Sequence, residues 1–181
     1  MTRDYAVKLV RERLKNNNLF KHCLAAEACL KELSEKLGED TEKWGLTGLL
    51  HDIDYEETQT QPLKHGIVGA ELLQKMGIDD EIVHAIRVHA GHDTPISKLD
   101  WALFAADPLT GLIVASALMH PDKKLSSLDR DFIQRRFREK RFAAGANREQ
   151  ILSCSNLGLE LGEFIEICLG GMQKVADQLG L

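Results

Sequence analysis

Gly45-Leu-Thr-Gly-Leu-Leu-His51-Asp52 places two adjacent polar side chains at the end of an apolar run. With Thr41 before it as a helix cap, the run predicts a third helix over Glu42 to about Leu50. Its glycines at 45 and 48 permit close packing against a neighbour. Polar groups in such a place carry a desolvation cost that something must compensate. Outward in both directions the pattern stays helical. Tyr5, Leu9, Val10 and Leu14 share one face of a first helix capped by Thr2, and Asn16-Asn17-Asn18 breaks it. A second helix runs from about Leu19 to Leu37 and stops at Gly38. After a polar loop, Asp54 to Pro62, come Leu63–Met76 and Asp79–Ala90, ended by Gly77 and Gly91. Leu99 to about Met119 follows, with a break or kink expected at Asp107-Pro108, because an interior proline costs about 3 kcal/mol. Ser126 or Ser127 is expected to cap a helix through Phe142, and Asn147 opens a last segment of two helices to Gly180. There is no alternating β-branched run, so the expectation is all-α.

The 181 residues suit a single domain, with a core of about 19–120 and a C-terminal helical extension of about 121–181. Hydrophobic residues make up 44% and charged residues 28%, a globular composition that excludes disordered and disulfide-framework proteins. A net charge of −5 speaks against general nucleic-acid binding. The sequence reading finds no run of about 18 apolar residues and no signal-peptide pattern, so no membrane association and a cytoplasmic location are expected. Cys23, Cys29, Cys154 and Cys168 form no C-x-x-C pair and read as buried thiols.

Five of the seven histidines fall between positions 51 and 92. Imidazole and carboxylate together suit divalent iron, manganese, zinc or nickel. Adjacent helical residues diverge by about 100°, so His51 and Asp52 can share an ion only where the helix loosens. Asp107 interrupts the apolar Trp101–Ala106 stretch and is either a ligand or a cap for the turn at Pro108.

His22, His51-Asp52 and Asp107 follow the H…HD…D order, with Lys64-His65-Gly-Ile-Val-Gly-Ala and Ala85-Ile-Arg-Val-His89 between. From His22 to about Thr110 the chain resembles the HD superfamily of metal-dependent phosphohydrolases, small bacterial members above all. The resemblance implies an HD-type helical bundle in which His22, His51, Asp52 and Asp107 hold one ion. It further implies that Asp52 bridges to a second ion held by His65 and His89. Metal-activated hydroxide would then attack a phosphate ester or anhydride of a small, nucleotide-type substrate. The same ligand set serves di-iron oxygenases, and a catalytically idle nucleotide sensor is the other alternative. Many relatives continue HD with a phosphate-binding lysine where this chain has Tyr55, within Ile53-Asp54-Tyr55-Glu56-Glu57. Asp54, Glu56 or Glu57 is a candidate proton donor to the leaving group. His84, about 140° from His89 on one helix, is not expected to share its ion, and His120 reads as a helix-end residue.

Substrate contacts are expected from Lys64, Arg87 and His92. The stretch Lys123–Arg148 carries nine Lys or Arg against three Asp or Glu. Either it is a solvated face, or one of Arg136, Lys140, Arg141 and Arg148 meets the substrate's phosphate.

Overall fold

The computed structural model describes residues 1–181 as helices joined by short turns, with no strand. The helices are α1 (Arg3–Arg13), α2 (Asn17–Leu37), α3 (Thr41–Leu50), α4 (Tyr55–Thr58), α5 (Ile67–Lys75), α6 (Asp80–His89) and α7 (Lys98–Met119). They continue as α8 (Arg130–Arg138), α9 (Arg148–Leu152), α10 (Leu161–Lys174) and α11 (Ala176–Leu179). Caps fall where short polar side chains precede apolar periodicity: Thr2, Asn16, Asp40, Asp79, Asp129 and Asn147 each accept from a first-turn N–H. The first helix stops at Arg13 with Leu14 as its C-cap, and Asn16 caps a second that starts at Asn17, two residues earlier than expected.

The centre of the bundle is α2, which packs on α3, α10 and α7. Two glycines set its distances. A Cβ at Gly48 would stand 2.6 Å from the backbone of Ala26, and one at Gly171 would stand 2.5 Å from the carbonyl oxygen of Ala28. Backbone cannot yield as a side-chain tip can, so α3 and α10 approach α2 this closely only without side chains there. Close approach of α2 and α3 is what brings His22 opposite His51.

Three expectations about elements are corrected. First, α7 runs unbroken through Pro108. Proline removes one backbone donor, but Leu99, Leu103, Ala106, Leu109, Leu112 and Ile113 are all fully buried. Packing along the whole helix outweighs the local cost. Second, this helix is long and apolar enough to cross a membrane, with a mean hydropathy of 1.7 over its best window. The apolar surface here is spent on the core. Third, the segment from Ser126 to Phe142 is not one helix. Leu125–Ser127 is a 3₁₀ turn, and α8 starts only after Asp129, whose carboxylate accepts from Phe132 N at 2.7 Å. The C-terminal segment contains α9, a 3₁₀ turn at Ser153–Leu157, α10 and α11. All four cysteines are free and buried.

Candidate metal centre

The six residues of the H…HD…H…H…D order meet at one place. His22 comes from the second turn of α2, His51 and Asp52 from the end of α3, His65 from the loop before α5, His89 from the end of α6, and Asp107 from α7. The helix stops at Leu50, and a turn follows in which Ile53 N donates to the Leu50 carbonyl and Tyr55 N to that of Asp52. That loosened end lets neighbouring His51 and Asp52 address the same point.

One oxygen of Asp52 lies 3.5 Å from His22 Nε2. The other lies 3.5 Å from His51 Nε2, 3.3 Å from His65 Nε2 and 3.5 Å from His89 Nε2. Asp107 Oδ1 lies 2.9 Å from His22 Nε2 and 3.6 Å from His51 Nε2. Within this cluster two compact triads have the spacing of a metal site, His22–His51–Asp107 and His51–Asp52–His89. His51 is completely buried, and Asp52 and His89 nearly so.

The opposite nitrogen of each ring decides which tautomer is present. His51 Nδ1 donates to the Gly48 carbonyl at 2.8 Å, and His89 Nδ1 to the Ile86 carbonyl at 2.5 Å. Both acceptors lie in the last turn of the helix that carries the histidine, where main-chain carbonyls lack intrahelical partners. His65 Nδ1 donates to Asp54 Oδ1 at 2.9 Å. Thr110 Oγ1 donates to the Asp107 carbonyl at 2.8 Å and so accepts from His22 Nδ1 at 3.0 Å. All four rings are thereby held with the Nε2 lone pair inward. Two pairs of those atoms, His22–His51 and His65–His89, lie 3.2 Å apart. Lone pairs so placed repel unless a cation or proton lies between them. The donor set therefore fits a divalent metal.

With protons in that role, the electrostatics are equally pronounced. Burial alone would lower the His51 pKa, but Asp52 and Asp107 outweigh it and raise the value to about 9. For His65, Asp52 and Asp54 overcome burial and raise it to about 10. Against the same desolvation, Asp52 is held well below the usual carboxylate range, chiefly by His51. Asp107 is likewise held well below it by His22 and His51.

The other candidates from the sequence do not join this cluster. Asp54 is 1% exposed, and its oxygens accept from His65 Nδ1 and from Gly69 N at 2.7 Å, so it orients a ligand and has no free face for proton transfer. Glu56 accepts from Asn16 N at 2.5 Å, and Glu57 pairs with Arg13 at 3.1 Å. His92 Nε2 donates to the His65 carbonyl at 2.8 Å and braces that loop. Arg87 is paired with Asp93 at 2.6 Å, and Lys64 is exposed in solvent. Arg136 pairs with Glu139, and Lys140 and Arg141 are exposed on the turn beyond α8. The Arg148 guanidinium donates to the carbonyls of Phe142, Ala143 and Ala146 at 2.5, 2.6 and 2.7 Å, closing its own loop. Of the basic stretch, Arg130, Arg136 and Arg148 are thus engaged in local structure. His84 pairs with buried Asp100 at 3.0 Å, away from the centre as expected.

Sequence reasoning missed one feature. A cavity of about 420 Å³ opens beside His22 and Thr110, between α2, α7 and the residues after α10. Lys21 and Asn18 line it. The available signal was helical spacing: positions 18, 21, 22 and 25 of α2 share one face, and His22 fixes where that face points.

The family model for the HD domain matches residues 19–112, so the chain belongs to the HD-domain family, whose members are metal-dependent phosphohydrolases. Among curated relatives, Ribonuclease Y of Desulfotalea psychrophila is 35% identical over 94 residues, 52% of this chain and 18% of the relative. Ribonuclease Y of Nitratidesulfovibrio vulgaris is 31% identical over 96 residues, 53% of this chain and 18% of the relative. That of Cutibacterium acnes is 30% identical over 90 residues, 49% of this chain and 17% of the relative. The match thus spans less than a fifth of those proteins' length. No solved structure matches the chain.

Proposed function

We propose that this protein hydrolyses a phosphodiester of a nucleotide at a two-metal centre. The inward convergence of four imidazole Nε2 atoms on the two oxygens of Asp52 carries the reading. His22, His51 and Asp107 would hold one ion, His65 and His89 the other, and Asp52 would join them. Two divalent ions in such a site supply Lewis acidity toward the phosphoryl oxygens and bring the pKa of a coordinated water toward neutrality.

The chain's own contribution is rigidity and exclusion of water. His51 and His89 are fixed by carbonyls of their own helices, His65 by Asp54, and His22 by Thr110. None of these groups needs to reorient when charge develops, which is where preorganised electrostatics lower a barrier. The relatives' name, ribonuclease, supports a phosphodiester. A net charge of −5 favours a short substrate over a long polyanion.

The test is Mn²⁺ titration together with hydrolysis of bis(p-nitrophenyl) phosphate and p-nitrophenyl phosphate. We expect two ions per chain and faster turnover of the diester. Asp52→Ala should lose most bound metal and all measurable hydrolysis while retaining its helical circular dichroism. A chain that takes up no stoichiometric metal would overturn the reading.

A further inference from the structure

The ligands that reach solvent define the mouth of the metal centre. The side chains of His22, Asp107 and His65 are 26, 28 and 20% exposed, whereas those of His51, Asp52 and His89 are 0, 7 and 2% exposed. A substrate therefore meets the centre along a rim formed by the first three, with the last three as its floor. Tyr55 stands on that rim. Its ring meets the His65 ring edge to face, with centroids 5.1 Å apart and planes at 81°. Its main-chain N–H donates to the Asp52 carbonyl at 2.9 Å, which ties it to the turn directly after the central carboxylate. The residue is nevertheless 40% exposed. Single exposed tyrosines are ordinary on a surface, but this one lies against a metal-ligand ring on the side from which substrate comes.

The groups around Tyr55 are committed elsewhere. Asp54 accepts from His65 Nδ1 and Gly69 N through its two oxygens. Glu56 accepts from Asn16 N, and Glu57 pairs with Arg13. The Thr58 hydroxyl donates to the Asp54 carbonyl at 2.8 Å, and on the opposite rim Thr110 donates to the Asp107 carbonyl. Nor does His65 depend on the phenol for its orientation, because Asp54 holds its ring and His92 its carbonyl. The Tyr55 hydroxyl is left as the protic group of residues 54–58 that no other part of the protein engages.

We propose that Tyr55 is a catalytic residue whose hydroxyl donates a hydrogen bond to the leaving-group oxygen of the substrate. The assignment rests on the phosphodiester reading above and adds the group that faces the departing alcohol. In hydrolysis the oxygen of water bonds to phosphorus, and the bond from phosphorus to the leaving oxygen breaks with its electron pair staying on that oxygen. The phenol O–H donates to this oxygen as the charge develops and keeps its own proton. Solvent protonates the departing anion and receives the proton that water gives up. Such a contact strengthens between ground and transition state, so it acts on the rate more than on binding.

The test uses the full-length chain loaded with Mn²⁺ and Tyr55→Phe, which keeps a ring against His65 and removes only the hydroxyl. Substrates are methyl aryl phosphates with p-nitrophenol, p-cyanophenol and p-chlorophenol as leaving groups, in order of weakening acidity. The variant should lose about 10-fold in kcat/KM on the p-nitrophenyl ester. The loss should grow along the series toward the roughly 100-fold that removal of one preorganised donor costs. It should fall on kcat, with KM little changed. Calorimetric titration should show Mn²⁺ stoichiometry and inorganic phosphate affinity as in the unaltered chain, since phosphate lacks the leaving group. Equal loss on all three esters, no loss, or a missing ion in Tyr55→Phe would overturn the assignment while leaving the phosphodiester reading in place. If the unaltered chain hydrolyses none of the three, that reading falls and the role of Tyr55 with it.

Discussion

Replacing Asp54 with Asn tests whether the outer hydrogen bonds govern metal affinity. Both oxygens are committed, Oδ1 to His65 Nδ1 at 2.9 Å and Oδ2 to Gly69 N at 2.7 Å, and the side chain is 1% exposed. An amide has nearly the same shape but only one acceptor atom. If that oxygen stays on Gly69 N, the NH₂ group faces His65 Nδ1. The ring must then give up its Nδ1 proton, place it on Nε2, and turn a lone pair into a donor aimed at the ion. If the amide flips, Gly69 N faces a donor and the start of α5 is strained. Loss of an outer-shell partner of a metal-bound histidine typically costs 10- to 100-fold in affinity, about 1.4–2.7 kcal/mol. The unpaired buried donor adds about 1–3 kcal/mol of lost stability. Because His65 is the one residue of the cluster that Asp54 holds, the loss should fall on one ion of two. Calorimetric Mn²⁺ titration should show the tighter or weaker event displaced by that factor and the other unchanged. Equal weakening of both events, or of neither, would refute the assignment of Asp54 as the support of His65.

Other outcomes follow from the same geometry. Gly48→Ala gains about 1 kcal/mol of helix propensity but drives a methyl to 2.6 Å from the Ala26 backbone. Overpacking of that kind costs about 1–3 kcal/mol or more, so Tm should fall by several degrees; a rise would mean α2 and α3 are not in contact at this point. Arg148→Ala removes the donors to three loop carbonyls and should lower Tm while leaving Mn²⁺ binding intact, whereas reduced metal or substrate binding would return Arg148 to the site. In the metal-free chain His51 and His65 have pKa values raised from 6.5 to about 9 and 10. Raised values contribute stability in full below about 6.5, and that contribution is lost as pH climbs through 9 to 10. Mn²⁺ takes the place of those protons, so the Tm increase it gives should be larger at pH 8.5 than at pH 6 in a thermal-shift assay. An increase independent of pH would contradict this.

That His22, His51-Asp52, His65, His89 and Asp107 converge was legible in the sequence through the resemblance carried by the H…HD…D order. The helices themselves could be read because short polar capping residues stand at seven of the eleven starts. Charge was the misleading signal. Arg148 and Arg136 look like phosphate contacts in a list of residues, yet a guanidinium satisfies a loop's carbonyls or a neighbouring carboxylate just as well. Nothing in linear spacing separates those uses. Asp54 has the same ambiguity: two residues from Asp52 it reads as catalytic, and only the fold shows Gly69 N and His65 Nδ1 occupying it. No break falls at Pro108, because propensity is local while α7 is held by burial along its length.

The centre also shows why this arrangement of helices suits cations. His51 and His89 stand at the C-terminal ends of α3 and α6, where each helix presents the negative pole of its dipole. The carbonyls that would otherwise be unpaired there, Gly48 and Ile86, accept the ring Nδ1–H and so turn Nε2 inward. One structural feature thereby orients the ligand and adds a favourable field for the ion. Gly48 takes part twice, because its missing side chain also lets α3 lie against α2 and face His51 toward His22. A substitution at Gly48 should therefore weaken metal binding through geometry even though the residue contributes no ligand atom. Stability and affinity should fall together there.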